Sequence, residues 1–283
     1  MPIFTNRATL SYNDIITNSN TVTGEIVEVL SAAKNAIPST YSIGDTVTFV
    51  ISIVNAGTTP YTALTVTDDL GAYSVGDTTA QPLSYVEGSV RYYQNGILSP
   101  ITAEDIPPLT FSDITVPAQG NALILYEAVV TTAASPQTGS TVTNTAQIAG
   151  GGLTAPITVS DTLTADENAQ LSIAKTVSPD IVAENGQLTY TFVIQNTGNT
   201  AAVATDNVRV TDIFDPILTN LTVTLDGTLL TENTDYTYDE QTGVFDTVPG
   251  RITVDAASFV QDPQTGNFIV TPGVSVLRVI GTV

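Results

Sequence analysis

The chain of 283 residues contains no cysteine and no histidine. The absence of cysteine excludes disulfide bonds and thiol redox chemistry, and the absence of both residues excludes zinc sites and histidine-based triads. An enzyme would need a carboxylate pair, and the pairs Glu104-Asp105 and Asp239-Glu240 are typical of solvated loops. We therefore expect no enzymatic activity, no cofactor and no metal. The run Asp166-Glu167-Asn168 leaves calcium as an alternative, although the chain has no Asp-x-Asp-x-Asp-Gly loop.

Basic residues are scarce as well. Seven lysines and arginines stand against 28 aspartates and glutamates, which gives a net charge of −21. This charge argues against binding to nucleic acid or to an anionic membrane surface, and no apolar stretch is long enough to insert into a membrane. The opening residues Met1-Pro2-Ile3-Phe4-Thr5 lack the cationic start and apolar core of a signal peptide. We expect either a leader already removed or assembly inside a cell before release, as on a spore surface formed within a mother cell.

An internal repeat covers most of the sequence, and such a repeat determines the architecture. Leu30-Ser31-Ala32-Ala33-Lys34 matches Leu171-Ser172-Ile173-Ala174-Lys175 at an offset of 141 residues, and the same offset carries Asn55 onto Asn196. The sequence therefore predicts two copies of one domain. Each copy is long enough to bury a core of its own.

Both copies have the pattern of antiparallel β-strands. Apolar residues alternate with small or polar ones over residues 47–53 and 188–194, and a period of two indicates strands with one buried face. Thr, Val and Ile dominate, and Gly, Pro, Asn and Asp recur at short intervals, which is typical of a β-sandwich. The predicted fold is all-β, with two tandem immunoglobulin-like β-sandwich domains preceded by a donor segment.

The donor segment is predicted because the closing tail of the repeat also occurs at the start of the chain, while the second copy has no such tail after it. Thr143-Asn144-Thr145-Ala146 begins a tail that closes the first copy, and Thr5-Asn6-Arg7-Ala8 resembles this tail but has no domain body before it. We therefore predict a complementing strand or hairpin over residues 1–29 and a first sandwich over residues 30–166. The second sandwich, over residues 167–283, is predicted to lack its closing hairpin.

Several short motifs occur in the same order in both copies. In the first copy, Lys34 is followed by Gly44-Asp45-Thr46-Val47-Thr48-Phe49, by Val54-Asn55-Ala56-Gly57 and by Val66-Thr67-Asp68. With these motifs the chain resembles the Gram-positive surface repeat known as domain of unknown function eleven. The resemblance implies a stalk or surface-fibre module with an immunoglobulin-like sandwich. The chain is also similar in layout to Gram-positive pilin and adhesin domains that carry lysine–asparagine isopeptide bonds.

An isopeptide bond requires a lysine, an asparagine and an acid in contact. An apolar core lowers the pKa of a lysine and favours a protonated carboxylic acid. The neutral amine can then attack the amide carbonyl while the acid moves protons. The chain has only two lysines, at equivalent positions of the repeat. The predicted intramolecular set consists of Lys34, Asn144 and Asp68. The predicted intermolecular set consists of Lys175, Asp212 and Asn6 of the next molecule.

Two other interpretations of these residues stay open. The lysines could face solvent at strand edges while the asparagines cap turns. Alternatively, the repeated Asn55 and Asn196 could be the amide partners, although an Asn-x-Gly sequence is better explained by loop geometry.

These features together predict a structural subunit of an extracellular, head-to-tail filament, either pilus-like or a spore appendage. Residues 1 to about 28 of one molecule would insert into the second domain of the next, so that the partner is another copy of the chain. The alternative is a monomeric cell-surface adhesin or stalk module that binds a glycan or a protein. Its candidate contacts are the tyrosines near turns, in Tyr92-Tyr93 and Tyr236-Thr237-Tyr238.

Overall fold

A computed structural model describes residues 3–25 and 29–283. Residues 1–2 and 26–28, which belong to the predicted donor segment, lie outside the described residues. The described chain consists of β-strands and loops with a single turn of 3-10 helix at Ala204–Asp206. No helix in this part of the chain is long and apolar enough to cross a membrane. The prediction of an all-β fold is confirmed.

The first four strands form one hairpin, which we call the leading hairpin (residues 3–25). Its strands are β1 (Ile3–Asn6), β2 (Thr9–Tyr12), β3 (Ile15–Asn18) and β4 (Val22–Glu25). Strand β1 pairs with β4 and β2 pairs with β3, both antiparallel. Asn13 and Asp14 form the turn with φ angles of 44° and 63°, as a two-residue hairpin turn of the primed type requires. Nearly every residue of the leading hairpin is exposed.

The first sandwich contains fourteen strands. They are β5 (Leu30–Ile37), β6 (Thr40–Tyr41), β7 (Thr46–Asn55), β8 (Tyr61–Asp68), β9 (Tyr73–Val75), β10 (Thr78–Ala80), β11 (Leu83–Tyr85), β12 (Arg91–Gln94), β13 (Ile97–Ser99), β14 (Thr102–Glu104), β15 (Leu109–Val116), β16 (Gly120–Val130), β17 (Thr141–Gly150) and β18 (Ile157–Ala165). One sheet has the order β13-β12-β16-β7-β5, with β11 also paired to β16, and the other has the order β14-β15-β8-β17-β18-β6.

The two sheets enclose one core because their strands alternate apolar and polar residues. In β7, Val47, Phe49, Ile51 and Ile53 are all completely buried, as the period of two predicts. Strands β17 and β18 form a hairpin, which we call the closing hairpin. It pairs with the edge of β8, where Ala146 lies opposite Asp68.

The second sandwich has ten strands. They are β19 (Leu171–Ser178), β20 (Gln187–Asn196), β21 (Thr211–Ile213), β22 (Thr219–Leu225), β23 (Thr228–Leu229), β24 (Tyr236–Asp239), β25 (Val244–Thr247), β26 (Ser258–Gln261), β27 (Phe268–Thr271) and β28 (Gly273–Thr282). One sheet has the order β19-β20-β28-β22-β23, and the sheet facing it has the order β21-β25-β24. A second core, which includes Phe192, Phe214 and Phe245, lies between them.

The repeat is also visible in strand register. Lys34 of β5 lies opposite Ile51 of β7, and Lys175 of β19 lies opposite Phe192 of β20. Because these pairs keep the offset of 141 residues, the two sandwiches can be compared position by position.

Strands β26 and β27 form an insertion with no counterpart in the first copy, and we call it the bridging hairpin (residues 258–271). It lies between Val254 and Gly273, whereas only three residues separate the equivalent Val116 and Gly120. The bridging hairpin contacts the first sandwich: the Phe268 N–H donates to the Thr132 carbonyl at 2.7 Å. The Gln261 side chain also donates to the Tyr73 hydroxyl at 2.5 Å.

Candidate functional site

A buried ion pair lies between the two sheets of the first sandwich. Lys34 points inward because it alternates in phase with the buried Leu30 and Ala36 of β5. Asp68 ends β8 of the opposite sheet. The Lys34 Nζ lies 2.7 Å from Asp68 Oδ2, and both side chains are completely inaccessible to solvent. A buried pair of this kind contributes little net stability, because desolvation of both charges offsets their attraction.

Two further side chains extend this pair into a chain of hydrogen bonds. The hydroxyl of Tyr126, from β16, donates to Asp68 Oδ2 at 2.5 Å. The Asn144 Nδ2, from β17, donates to the Tyr126 hydroxyl at 3.1 Å. The three residues of the predicted intramolecular set therefore lie in one buried cluster together with Tyr126.

One atom of the cluster stands out. The carbonyl oxygen Oδ1 of Asn144 is buried and has no hydrogen-bond partner among the described residues. An unpaired buried acceptor is costly in a folded protein, and most such groups are paired. The amide of Asn144 is therefore held through its nitrogen alone.

Burial shifts the pKa values of Lys34 and Tyr126 in opposite directions. Desolvation lowers the pKa of Lys34, although the charge and hydrogen bond of Asp68 oppose this shift. Desolvation, strengthened by the charge of Asp68, raises the pKa of Tyr126 well above its usual range. Tyr126 thus keeps its proton while the amine of Lys34 is shifted toward its neutral, nucleophilic form.

The second sandwich holds the equivalent ion pair at its surface. Lys175 contacts Asp212, but 39% of the lysine side chain and 18% of the aspartate side chain are exposed. The Nζ of Lys175 lies 4.5 Å from the centre of the Tyr190 ring, a position that favours a cation. Asn6, the third residue of the predicted intermolecular set, lies on the exposed strand β1, opposite Val22 of β4.

The closing hairpin explains why one pair is buried and the other is not. Asp161 of β18 accepts a hydrogen bond from the Ala36 N–H of β5 at 2.6 Å, and β17 pairs with the edge of β8. In the described part of the second sandwich, β21 pairs with β25 on one side and has no strand on the other. All eight residues of β19 are exposed.

The alternative amide partners have a structural role in both copies. The side chains of Asn55 and Asn196 each donate to a carbonyl four residues further on and accept from the N–H two residues further on. Gly198 is needed in the second turn because a Cβ there would lie 2.2 Å from the Asn168 carbonyl oxygen. These two asparagines therefore shape a loop, as the Asn-x-Gly sequence predicts.

The remaining sequence candidates are distributed between core and surface. Tyr92 and Tyr236, which the adhesin interpretation placed near turns, are 1% and 3% exposed and belong to the two cores. Among the described residues, no group of three or more acidic side chains could hold a metal ion. Asp166 begins the run that left calcium as an alternative, and its backbone carbonyl accepts a hydrogen bond from Asn199 of the second sandwich at 2.7 Å.

Sequence reasoning missed Tyr126. The repeat does not point to this residue. Tyr126 lies opposite Phe49, and the equivalent position in the second sandwich, opposite Tyr190, is occupied by Val279. The only available signal was the alternating pattern of β16, which places Tyr126 on the buried face of the strand.

Comparison with known proteins shows likeness in fold alone. No family model and no curated protein matches the chain, so its resemblance to the surface repeat stays a prediction. Solved structures with partial similarity include BcpA, the major pilin subunit of Bacillus cereus, at 12% identity and a TM-score of 0.37 over 95% of this chain and 73% of that one. The pilus backbone RrgB from Streptococcus pneumoniae has 11% identity and a TM-score of 0.35, over 86% of this chain and 55% of that one.

A third similar structure is a family 123 glycoside hydrolase from Clostridium perfringens, at 10% identity and a TM-score of 0.31. The match covers 48% of this chain and 27% of that one. The chain thus spans about a quarter of this protein and about half of the pilus backbone. Because these similarities are weak, the function must be argued from the site itself.

Proposed function

We propose that the protein is the structural subunit of an extracellular, head-to-tail filament. The leading hairpin of one molecule completes the second sandwich of the next. One observation carries the proposal: positions that are buried on β5 are exposed on β19. Leu30 is 7% exposed and its equivalent Leu171 is 40% exposed, while Ala36 and its equivalent Val177 are 9% and 43% exposed. Exposed apolar residues in contiguous patches mark surfaces that bind a partner.

The leading hairpin has the chemistry to cover this surface. When Asn6 is aligned with Asn144, Phe4, Ala8 and Leu10 take the positions of three residues on the inner face of the closing hairpin. Those residues, Val142, Ala146 and Ile148, are at most 4% exposed. On the leading hairpin, by contrast, Phe4 and Leu10 are 51% and 60% exposed.

Strand addition supports the same arrangement. The edge of β21 can accept a strand as β8 accepts β17, which would satisfy backbone groups that an open edge leaves unpaired. Each large apolar side chain buried in this way contributes about 1.5–3 kcal/mol. Donor and acceptor are different surfaces, so the contact is heterologous and propagates into a filament.

The proposal includes covalent bonds at both lysines. The Nζ of Lys34 attacks Cγ of Asn144 within one chain, and the Nζ of Lys175 attacks Cγ of Asn6 from the next. In each case the lysine reacts as the neutral amine: the Nζ–Cγ bond forms, the Cγ–Nδ2 bond breaks, and one proton moves from Nζ to Nδ2 so that ammonia leaves. The buried Lys34 cluster supports the first bond, and the equivalent Lys175–Asp212 pair supports the second.

The role is structural rather than enzymatic, and the partner is another copy of the chain. The resemblance to the Gram-positive surface repeat supports a location on the outer surface of a cell or spore. An acidic surface with a net charge of −21 is consistent with a protein that contacts neither nucleic acid nor a membrane surface.

The filament is tested by changing one face of the leading hairpin at a time. Leu10→Asp places a charge where the acceptor sandwich needs an apolar residue, and we expect purified protein to remain monomeric in light scattering and electron microscopy. The matched control is Thr9→Asp, because Thr9 belongs to the opposite face of β2. Filaments of unchanged length from the Leu10→Asp variant would contradict hairpin donation. A wild-type monomer that binds a glycan would favour the adhesin alternative.

A further inference from the structure

We infer that Tyr126 is a catalytic residue for the Lys34–Asn144 bond and that its hydroxyl relays a proton from Asp68 to the leaving nitrogen. The inference rests on the proposed bond and adds a residue that the lysine–asparagine–acid set does not include. It follows from the order in which the buried groups touch one another.

Asp68 reaches the two reacting residues through a single oxygen. Its Oδ1 accepts the Leu70 N–H at 3.0 Å. Its Oδ2 contacts both the Lys34 Nζ at 2.7 Å and the Tyr126 hydroxyl at 2.5 Å. In the described part of the chain, the amide of Asn144 is joined to this carboxylate only through Tyr126. An acid that serves both amine and amide therefore needs the tyrosine between them.

The hydroxyl contacts the atom that must leave. Departure of Nδ2 as ammonia requires a proton on that nitrogen, and the Tyr126 hydroxyl lies 3.1 Å from it. In the resting amide, Nδ2 donates to the hydroxyl. Once Cγ has become tetrahedral, Nδ2 carries a lone pair, and the hydroxyl can turn its hydrogen toward it.

The proton balance closes without any other reactant. Starting from the ion pair, Lys34 Nζ gives one proton to Asp68 Oδ2, and the neutral amine attacks Cγ. Tyr126 then gives its hydrogen to Nδ2 and takes the proton from Oδ2 while the Cγ–Nδ2 bond breaks, and Nζ, now bonded to Cγ, loses its second proton to Oδ2. Tyr126 ends as it began, Asp68 ends as the neutral acid, and the products are one amide bond and one ammonia.

The surroundings of Tyr126 suit a relay. It is 1% exposed, and its ring stacks on Phe49 at a centroid distance of 5.3 Å. The Phe49 ring also lies 5.1 Å from the Lys34 Nζ. Aromatic rings therefore hold the hydroxyl in place and keep water from replacing it, which preserves the geometry that proton transfer requires.

The test is the rate at which the full chain loses ammonia. The chain is synthesised in a cell-free reaction and sampled over time by intact mass spectrometry. We expect Tyr126→Phe to form the bond about 100-fold more slowly than the wild type, as for the loss of a general acid. The control is Tyr92→Phe, which also removes a buried hydroxyl, one that hydrogen-bonds Thr115 at 2.6 and 2.8 Å. The Tyr92→Phe variant should react at the wild-type rate.

A second measurement separates a relay from a structural role. Fluorinated tyrosines placed at position 126 change the acidity of the hydroxyl with little change in volume, and the relay predicts a rate that follows this acidity. A rate that does not change across the series would overturn the relay, as would a Tyr126→Phe variant that reacts like the wild type. Either result leaves the bond itself in place. A wild-type chain that never loses ammonia overturns both the bond and the relay.

Discussion

The two sandwiches place the same lysine–aspartate pair in opposite environments. Lys34 and Asp68 are sealed between two complete sheets, whereas Lys175 and Asp212 lie beside an open edge. The residues that form the pair are repeated, but the hairpin that covers it is present in the described chain only at the first site. Burial of the pair thus depends on the covering hairpin, and in the proposed chemistry the reactivity of the lysine depends on it as well.

This comparison gives the proposed bonds an order. The first site is assembled by folding of one chain, so its bond can form as soon as the closing hairpin docks. The second site acquires an asparagine only when another molecule supplies its leading hairpin. Covalent locking of the filament would therefore follow assembly and would not occur in an isolated subunit.

The largest expected effect is on the covalent products, which should differ between substitutions of the two lysines. We expect Lys175→Ala to abolish ladders of covalent oligomers on a denaturing gel, because that lysine supplies the proposed bond between molecules. Lys34→Ala should still form the ladder. This variant should only fail to release the ammonia of the bond within each chain, and intact mass measures that difference. Ladders that persist in Lys175→Ala would assign the intermolecular bond to another residue.

The next effect is on stability. In an Asn144→Ala background, which cannot form the first bond, Lys34→Ala leaves Asp68 buried without a cation. We expect the free energy of unfolding to fall by about 3–5 kcal/mol. Lys175→Ala in a non-assembling Leu10→Asp chain should cost only about 0–1 kcal/mol, because that pair is partly exposed. Urea denaturation followed by circular dichroism measures both, and equal losses would contradict the difference in environment.

A smaller effect is expected from pH. The pKa of Lys34 is lowered by burial in the folded state, so between this pKa and the ordinary lysine value the unfolded chain binds a proton that the folded chain does not. The free energy of unfolding should therefore rise with pH across this window. In the other direction, this contribution is lost as pH falls through the folded pKa of Lys34. The difference between the Asn144→Ala chain and the same chain with Lys34→Met isolates this contribution in thermal melts. A difference independent of pH would mean that Lys34 titrates normally.

Much of the fold could be predicted because strands with one buried face leave a clear pattern. The alternation around Phe49 and around Phe192 predicted two of the central strands, and the repeat predicted two copies of one domain. The bridging hairpin could not be predicted from the repeat, because it occupies an insertion found in one copy only. Its contacts with Thr132 depend on how the two sandwiches meet, which local sequence does not encode.

The candidate site shows the same division. Lys34, Asp68 and Asn144 attracted attention because each is repeated, and the structure places them in one cluster with Tyr126. Tyr126 escaped attention because its equivalent is Val279. A comparison of two copies reveals what they share, and a residue that makes one copy different must be found in three dimensions.

The bridging hairpin also has a mechanical consequence. The sandwiches are joined by the chain near Asp166 and, independently, by the hydrogen bonds of residues 258–271 to Thr132 and Tyr73. Two domains joined only by a linker can change their relative orientation freely. Here such a change would require several hydrogen bonds of the bridging hairpin to break together. In the proposed filament, each subunit would then behave as a stiff unit, and the curvature of the filament would arise at the contacts between subunits.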